Sequence, residues 1–418
     1  MNEKTNPQHN GFEMSVKAIV FLADGMADSP LDELGGLTPL EFAKTPAMDS
    51  IARRGSSGTF LTLPQGLPTS SDVANMSVLG FRPENNYPGR GPIEAVSQGI
   101  PLAPDDVAWR CNLVYADGDG ILRDYSAGHI PDERSRKLMA ALQARFGNDK
   151  VSFYPGVSYR NLLVLHGKRF SDKVKYCKPD SSQDLPISKL RLGPADASPE
   201  AAETVRFLTG LEDEAAKFLA GHQLNRGIDV PANRIWAWSP GHRPALPPFS
   251  ALYAGRRGAI ISAVDVIKGI GKCTGMEVID VPGATGFLDT NYAGKVAAAI
   301  KAIRDFDLVY LHLEAIDECS HIGDLKLKLR AIEEFDSRIV APVLEALKGE
   351  RDLNFAILPD HPVPIKLRKH TTTPVPVAMC GPSFAADGIT RFSETDAPKG
   401  ALGFMSGGEI VRKALALD

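Results

Sequence analysis

Two rhythms of apolar positions alternate along the chain. Unbroken apolar runs at Val16–Ala23, Gly258–Val264, Met276–Val281, Leu308–Leu313, Phe355–Leu358 and Val375–Cys380 read as buried strands. Helical spacing separates them. Asp289–Asp305 places Ala293, Val296, Ala297, Ile300 and Ile303 on one side, and Val266–Thr274 and Gly408–Leu417 repeat the pattern. Near the start, Thr45-Pro46 opens a helix with proline at its first position, Gly55 ends it, and Thr59–Leu63 reads as another strand. This rhythm predicts an α/β fold: a central, mostly parallel sheet flanked by helices.

The middle of the chain differs. Val107–Tyr115, Ile121–Tyr125, Val151–Tyr154 and Tyr159–Leu165 read as short strands, and Pro131–Phe146 and Pro199–Gly221 as amphipathic helices. That mixture predicts an α+β module. Pro83–Pro92 reads as a loop, and Asn233–Pro248, with Trp236, Trp238 and four prolines, as a return linker. The predicted organisation is a core of residues 14–106 and 231–418, with 107–230 inserted as the α+β module.

Composition narrows the function classes. A net charge of −4 gives no reason to expect nucleic-acid binding. No apolar run reaches the ~18 residues of a membrane span. Met1–Gly11 is polar, reads as a disordered leader, and lacks the apolar segment of a signal peptide. Five scattered cysteines without C-x-x-C predict reduced thiols and a cytoplasmic protein. A homo-oligomer is compatible with all of this.

The chemistry gathers late in the chain. Asp317 and His321 stand four apart, Asp360-His361 follows an apolar run, and His370 opens H-T-T-T-P-V-P. Asp24 likewise follows a strand, where it is a ligand candidate or a plain helix or turn cap. The carboxyl ends of strands are where open α/β sheets bind ligands. These carboxylates and imidazoles suit divalent Zn or Mn and outnumber the ligands of one tetrahedral ion, which predicts two ions. His312, inside a strand and without a neighbouring ligand pattern, reads as a packed or surface residue and not a ligand. Ser70 and Ser71 precede a helical pattern at Asp72–Leu79, where either is a nucleophile candidate or a plain helix cap. Arg110, Arg123 and Arg160 lie on or beside the inserted strands, and their planar forks suit carboxylate or phosphate.

The motifs together are specific. D-G-M at Asp24, S-D-V-A-N-M-S, D-x-x-x-H, D-H and H-T-T-T-P-V-P resemble the alkaline phosphatase superfamily. More narrowly they resemble its archaeal-type, cofactor-independent (2,3-bisphosphoglycerate-independent) phosphoglycerate mutases. G-R-G-P-I-E-A, S-A-V-D-V-I-K-G-I-G and P-G-A-T-G extend the likeness over nearly the whole chain. The resemblance implies an alkaline-phosphatase-like core with two divalent ions, Mn or Zn, or else Mg or Co, and no 2,3-bisphosphoglycerate, and it makes the inserted α+β module 107–230 a lid that keeps water from the substrate. It implies Asp317, His321 and His370 for one ion, and Asp24, Ser71, Asp360 and His361 for the other. Ser71, directly before Asp72, becomes the nucleophile of a phosphoserine relay between 3- and 2-phosphoglycerate. Arg110, Arg123, Arg160 and Lys268 become candidates for the substrate's anionic groups. R-D-Y-S-A-G-H-I at Arg123 departs from the family's D-R-R-A-G-R, and resembles a bacterial subgroup proposed to phosphorylate homoserine in threonine synthesis. That phosphotransfer is the alternative reading, with a plain metallophosphatase beside it.

Overall fold

A computed structural model describes residues 15–417; the predicted leader lies outside the described residues. The chain packs as two units. One comprises the described residues up to Asn85, with Pro247–Val264 and 275–417. The other comprises Asn86–Leu246 with Asp265–Thr274.

The first unit is built on an eight-stranded sheet. In order across it run Glu277–Val278, Gly258–Ile261, Leu308–Leu313, Lys17–Ala23, Leu353–Pro359, Val375–Cys380, Ser56–Leu61 and Gly403–Ser406. The first five are mutually parallel, and Val375–Cys380 runs antiparallel to both its neighbours. The expected mostly parallel α/β sheet is therefore present. Its central strands are apolar throughout because both faces are covered. Ile19, Phe21, Leu311 and Ile357 pack with helices Tyr292–Asp305 and Leu325–Phe335 on one face. Two strands are shorter or shifted relative to their apolar runs: Glu277–Val278 replaces Met276–Val281, and Ser56–Leu61 replaces Thr59–Leu63.

The second unit has an antiparallel five-stranded sheet. Val107–Ala116 pairs with Arg160–Leu165 on one side and Arg234–Gly241 on the other. Helices Asp132–Phe146 and Pro199–Ala220 contribute Leu138, Leu142, Leu208 and Leu219 to a core with Trp109, Leu113 and Leu163. Here the sequence expectation needs correction. Asn233–Pro248 is no linker, since Arg234–Gly241 is a strand whose Trp236, Ala237 and Trp238 lie opposite Asn112, Cys111 and Arg110. Pro83–Pro92 is also partly helical: Pro83–Asn86 forms a turn of helix and Arg90 starts the helix Arg90–Ser97. That helix receives Asp265–Cys273 at close range. A Cβ on Gly269 would come within 2.3 Å of the Ile93 carbonyl oxygen, so the contact requires glycine. This contact is why a short piece of downstream sequence belongs with the second unit.

Candidate metal centre

Strand register builds the site. Ala23 lies opposite both Leu313 and Pro359 in parallel neighbours. Three adjacent strands thus end at one level, and the next residues, Asp24, Glu314 and Asp360, emerge side by side. The Asp24 N–H donates to the Leu313 carbonyl at 2.9 Å, and the Gly25 N–H to Asp360 Oδ1 at 3.1 Å.

The first cluster is wholly buried. Asp24, Asp360 and His361 are all fully shielded from solvent. His361 Nε2 lies 3.2 Å from Ser71 Oγ and 3.4 Å from both Asp24 Oδ1 and Asp360 Oδ2. One ring nitrogen carries at most one proton, so it cannot serve three oxygens by hydrogen bonding. Convergence of this kind suits a cation. Ser71 heads the helix Ser71–Val78, and Ser70 is its extended N-cap residue, with no side-chain cap bond. The structure therefore places Ser71, and not Ser70, against the histidine. Asn75, one turn on, donates from Nδ2 to Asp360 Oδ2 at 3.0 Å and to the Ser71 carbonyl at 2.7 Å. The Tyr310 hydroxyl fixes that amide by donating to its Oδ1 at 2.6 Å.

The second cluster lies on and beside the helix Ala315–Ile322. Its i, i+4 spacing brings His321 Nε2 to 3.3 Å from Asp317 Oδ2. His370 Nε2 lies 3.5 Å from Asp317 Oδ1 and 2.9 Å from His321 Nε2. The Arg368 carbonyl, 3.0 Å from His321 Nδ1, accepts its N–H and so faces Nε2 inward toward Asp317. The rings of His361 and His370 stack at 3.8 Å, which links the two clusters.

Electrostatics and orphaned atoms agree with a cation requirement. Asp24 Oδ1 and Asp317 Oδ1 are buried and receive no hydrogen bond. Burial, then the carboxylates of Asp360, Glu314 and Asp317, push the Asp24 carboxyl well up. Burial likewise raises Asp360. Burial opposes charge on His321, but the Asp317 carboxylate outweighs it and lifts that imidazole to about 9. Asp317 is held far below the usual carboxylate range despite burial, by His321 first and then His370. Crowded carboxylates facing imidazole nitrogens fit divalent cations, and both sets, Asp24/Asp360/His361 and Asp317/His321/His370, bring their ligating atoms within 4.8 Å of one another.

His312 is packed, as its place inside a strand suggests. It is fully buried, with Nε2 3.2 Å from Asp24 Oδ2 and Nδ1 3.1 Å from Ser262 Oγ. Burial, then the Lys295 ammonium, pushes it down to about 3, so it is neutral. Its only sequence signal is its place one pleat before the strand end, on the strand that leads to Glu314.

The anion-binding candidates lie in the second unit. Arg110 is 2% exposed, with its guanidinium bonded to Glu94 and, at 3.3 Å, to Asn112 Oδ1, over the Trp238 ring. Arg90 shares Glu94 at 2.7 Å. Arg160 lies over Tyr159, and its charge, with those of Arg110 and Lys268, acts on Asp265. Arg110, Arg160 and Lys268 thus belong to one electrostatic group. Arg123 stands apart, exposed and paired with Asp117 at 2.7 Å and Asp184 at 2.8 Å. Arg90 was not singled out from the sequence; its signal was G-R-G-P at a helix start.

All five cysteines are free, and among the described residues no helix is long and apolar enough to cross a membrane.

Comparison with known proteins follows this geometry. Residues 52–225 match the family model described as 2,3-bisphosphoglycerate-independent phosphoglycerate mutase. A protein of that name from Methanothrix thermoacetophila is 45% identical over 96% of this chain and 100% of its own length. A probable mutase of the same description from Geobacter sulfurreducens is 43% identical over 93% of this chain and 96% of its own. Among solved structures, the cofactor-independent phosphoglycerate mutase of Thermoplasma acidophilum superposes with a TM-score of 0.63 at 27% identity. It covers 96% of this chain and 99% of that one. A Pyrococcus horikoshii protein reaches 0.80, also at 27% identity, over 96% and 97% of the two chains. With relatives this similar over their full length, the chain belongs to the 2,3-bisphosphoglycerate-independent phosphoglycerate mutase family.

Proposed function

We propose that this chain interconverts 3-phosphoglycerate and 2-phosphoglycerate in glycolysis and gluconeogenesis by passing the phosphoryl group through Ser71. The observation that carries the reading is the approach of Ser71 Oγ, Asp24 and Asp360 to one nitrogen of His361, beside the Asp317 cluster. Asp24, Ser71, Asp360 and His361 would hold one divalent cation, and Asp317, His321 and His370 a second, Mn or Zn or else Mg or Co. Such cations supply charge that favours a serine alkoxide and offsets the charge of the transferring phosphoryl group.

The chain's own groups do the rest. Ser71 Oγ bonds to phosphorus, and the 3-oxygen of glycerate leaves and takes up a proton. The glycerate 2-hydroxyl then attacks phosphoserine, loses its proton, and Ser71 is regenerated. Ser71 sits at a helix N-terminus, where backbone N–H groups favour a dianionic phosphate. Asn75 keeps Asp360 and the Ser71 backbone in fixed relation throughout. Arg160, Arg110 and Lys268 are proposed for the substrate's carboxylate and phosphate, with Arg123 the weakest member because its charge is met by two aspartates.

The test uses the metal-loaded protein. With 3-phosphoglycerate, formation of 2-phosphoglycerate well ahead of free phosphate is expected. Ser71→Ala is expected to lower turnover by at least ~10³-fold, as loss of a nucleophile does, and Ser70→Ala to leave a substantial fraction. Full turnover by Ser71→Ala would refute the relay. Mostly free phosphate would indicate a phosphatase. Phosphorylation of homoserine from a phosphoryl donor, without mutase activity, would assign the related phosphotransfer.

A further inference from the structure

A cavity of about 290 Å³ opens in the first unit at the amino end of the strand Leu353–Pro359, whose other end leads to Asp360. Leu347, Leu353, Phe355 and Cys380 line its floor, and all four are buried. Cys380 belongs there because its strand, Val375–Cys380, runs antiparallel and pairs Cys380 with Phe355. Around the mouth stand four exposed charged residues. Arg54 ends the helix Pro46–Arg54, and Lys348, Glu350 and Arg351 lie between the helix Ala341–Ala346 and the strand. At about 3.3 Å of strand per residue, Phe355 and Leu353 lie roughly 17–23 Å from Asp360. The cavity is therefore separate from the metal centre.

We propose that this cavity binds a small monoanionic carboxylate with an apolar body. The charges at the mouth fix the sign. Lys348 is paired with Glu345. Arg54 donates from Nε to the Ser50 carbonyl at 3.1 Å and from Nη2 to Cys380 Sγ at 3.6 Å, and neither acceptor is a carboxylate. Burial pushes the Cys380 thiol up to about 11, so it brings no negative charge. Among the described residues, no carboxylate pairs with Arg351. Glu350 is the only acid among the described lining residues, and it offsets one of the two guanidiniums. The remaining positive charge matches a monoanion. A phosphate dianion would carry its second charge past Glu350.

The lining fixes the rest of the class. Small-molecule pockets begin at about 300 Å³, so this one takes a compact ligand. Its floor of Leu347, Leu353 and Phe355 offers apolar contact in place of hydrogen bonds, which favours a hydrocarbon body over a sugar or a polyol. A guanidinium at the mouth presents parallel N–H donors that fit the two oxygens of one carboxylate. The ligand thus lies with its hydrocarbon against the two strand ends and its carboxylate between Arg54 and Arg351.

This site does not depend on the mutase reading, and binding alone tests it. Octanoate is titrated into the full-length, metal-loaded protein in a calorimeter. Saturable binding of one octanoate per chain is expected, undisplaced by 3-phosphoglycerate or by inorganic phosphate. Butyrate should bind at least ~10-fold more weakly, because each methylene buried adds to the gain. Arg54→Gln and Arg351→Gln should each weaken octanoate ~10-fold, the scale of a hydrogen bond to a charged group, and leave the Mn content unchanged. Both side chains are exposed, so the substitutions spare the fold. Glu350→Gln should act in the opposite direction and tighten octanoate ~2-fold. Equal affinity in the wild type and both arginine variants would overturn the site. Absent or unsaturable binding would overturn it too, as would displacement by 3-phosphoglycerate, which would put octanoate in the metal centre. Competition by inorganic phosphate, or butyrate binding as tightly as octanoate, would overturn the ligand class.

Discussion

At the residue scale, the centre depends on one position with no side chain. Gly25 adopts φ +67°, and a Cβ there would lie 2.6 Å from Asp317 Cα and 2.8 Å from Asp317 Oδ1. Gly25→Ala therefore combines backbone strain with displacement of a metal-ligand candidate. It is expected to weaken Mn affinity at least ~10-fold by calorimetric titration, the scale set by losing support around a ligand. The far-UV circular dichroism should stay unchanged, because the strand ends before Gly25. The ligand candidates were legible in the sequence because each carries a local mark: Asp317 and His321 by helical spacing, Asp24 and Asp360-His361 by the strands that precede them. His312 and Asn75 carry no such mark. Their partners, Asp24 and Asp360, are separated from them by 288 and 285 residues, and only the folded register brings them together.

At the element scale, a polar network ties the segment after the first strand to its surroundings. Lys328 on helix Leu325–Phe335 bonds Asp28 at 2.8 Å, and both side chains are fully buried. Glu394 accepts the Asp28 N–H at 3.0 Å and the Thr38 hydroxyl at 2.7 Å. Burial pushes the Glu394 carboxyl up from 4.5 to about 7. The folded protein therefore holds this proton more tightly than the unfolded chain does. The resulting stabilisation is complete below pH 4.5, is lost as pH rises to about 7, and is constant above. The loss amounts to roughly 3 kcal/mol. In Glu394→Gln that loss should vanish, so melting temperatures of variant and wild type should converge or cross as pH rises from 4 to 7.5. Parallel curves would exclude Glu394 as the titrating group. Elements themselves were legible where apolar runs were unbroken. The Arg234–Gly241 strand was not, because Pro240 lies within it, further prolines follow, and its partner Val107–Ala116 lies more than a hundred positions upstream. Its alternating residues gain meaning only against that partner.

At the scale of the molecule, both clusters of the centre belong to the first unit, although the sequence between Asn86 and Leu246 folds as part of another. The mostly parallel sheet was legible as an α/β alternation, and the chemistry as clusters late in the chain. The exchange of Asp265–Thr274 between units was not, since it depends on helix contact at Gly269. One consequence of the shared strand register follows. Because Asp24, Glu314 and Asp360 are positioned by where three adjacent strands stop, the centre is indifferent to how much chain lies between those strands. Added residues have very different effects by location. A single residue inserted within Leu308–Leu313 would reverse the pleat for everything beyond it, send His312 to the opposite face, and misplace Glu314 and Asp317. A ten-residue polar insertion at the exposed turn around Gly349 would leave all three strand ends level. The first variant should lose its metal and the second retain it. By the same logic, the lengths of the connections are free to drift over evolutionary time, while the lengths of these strands are not.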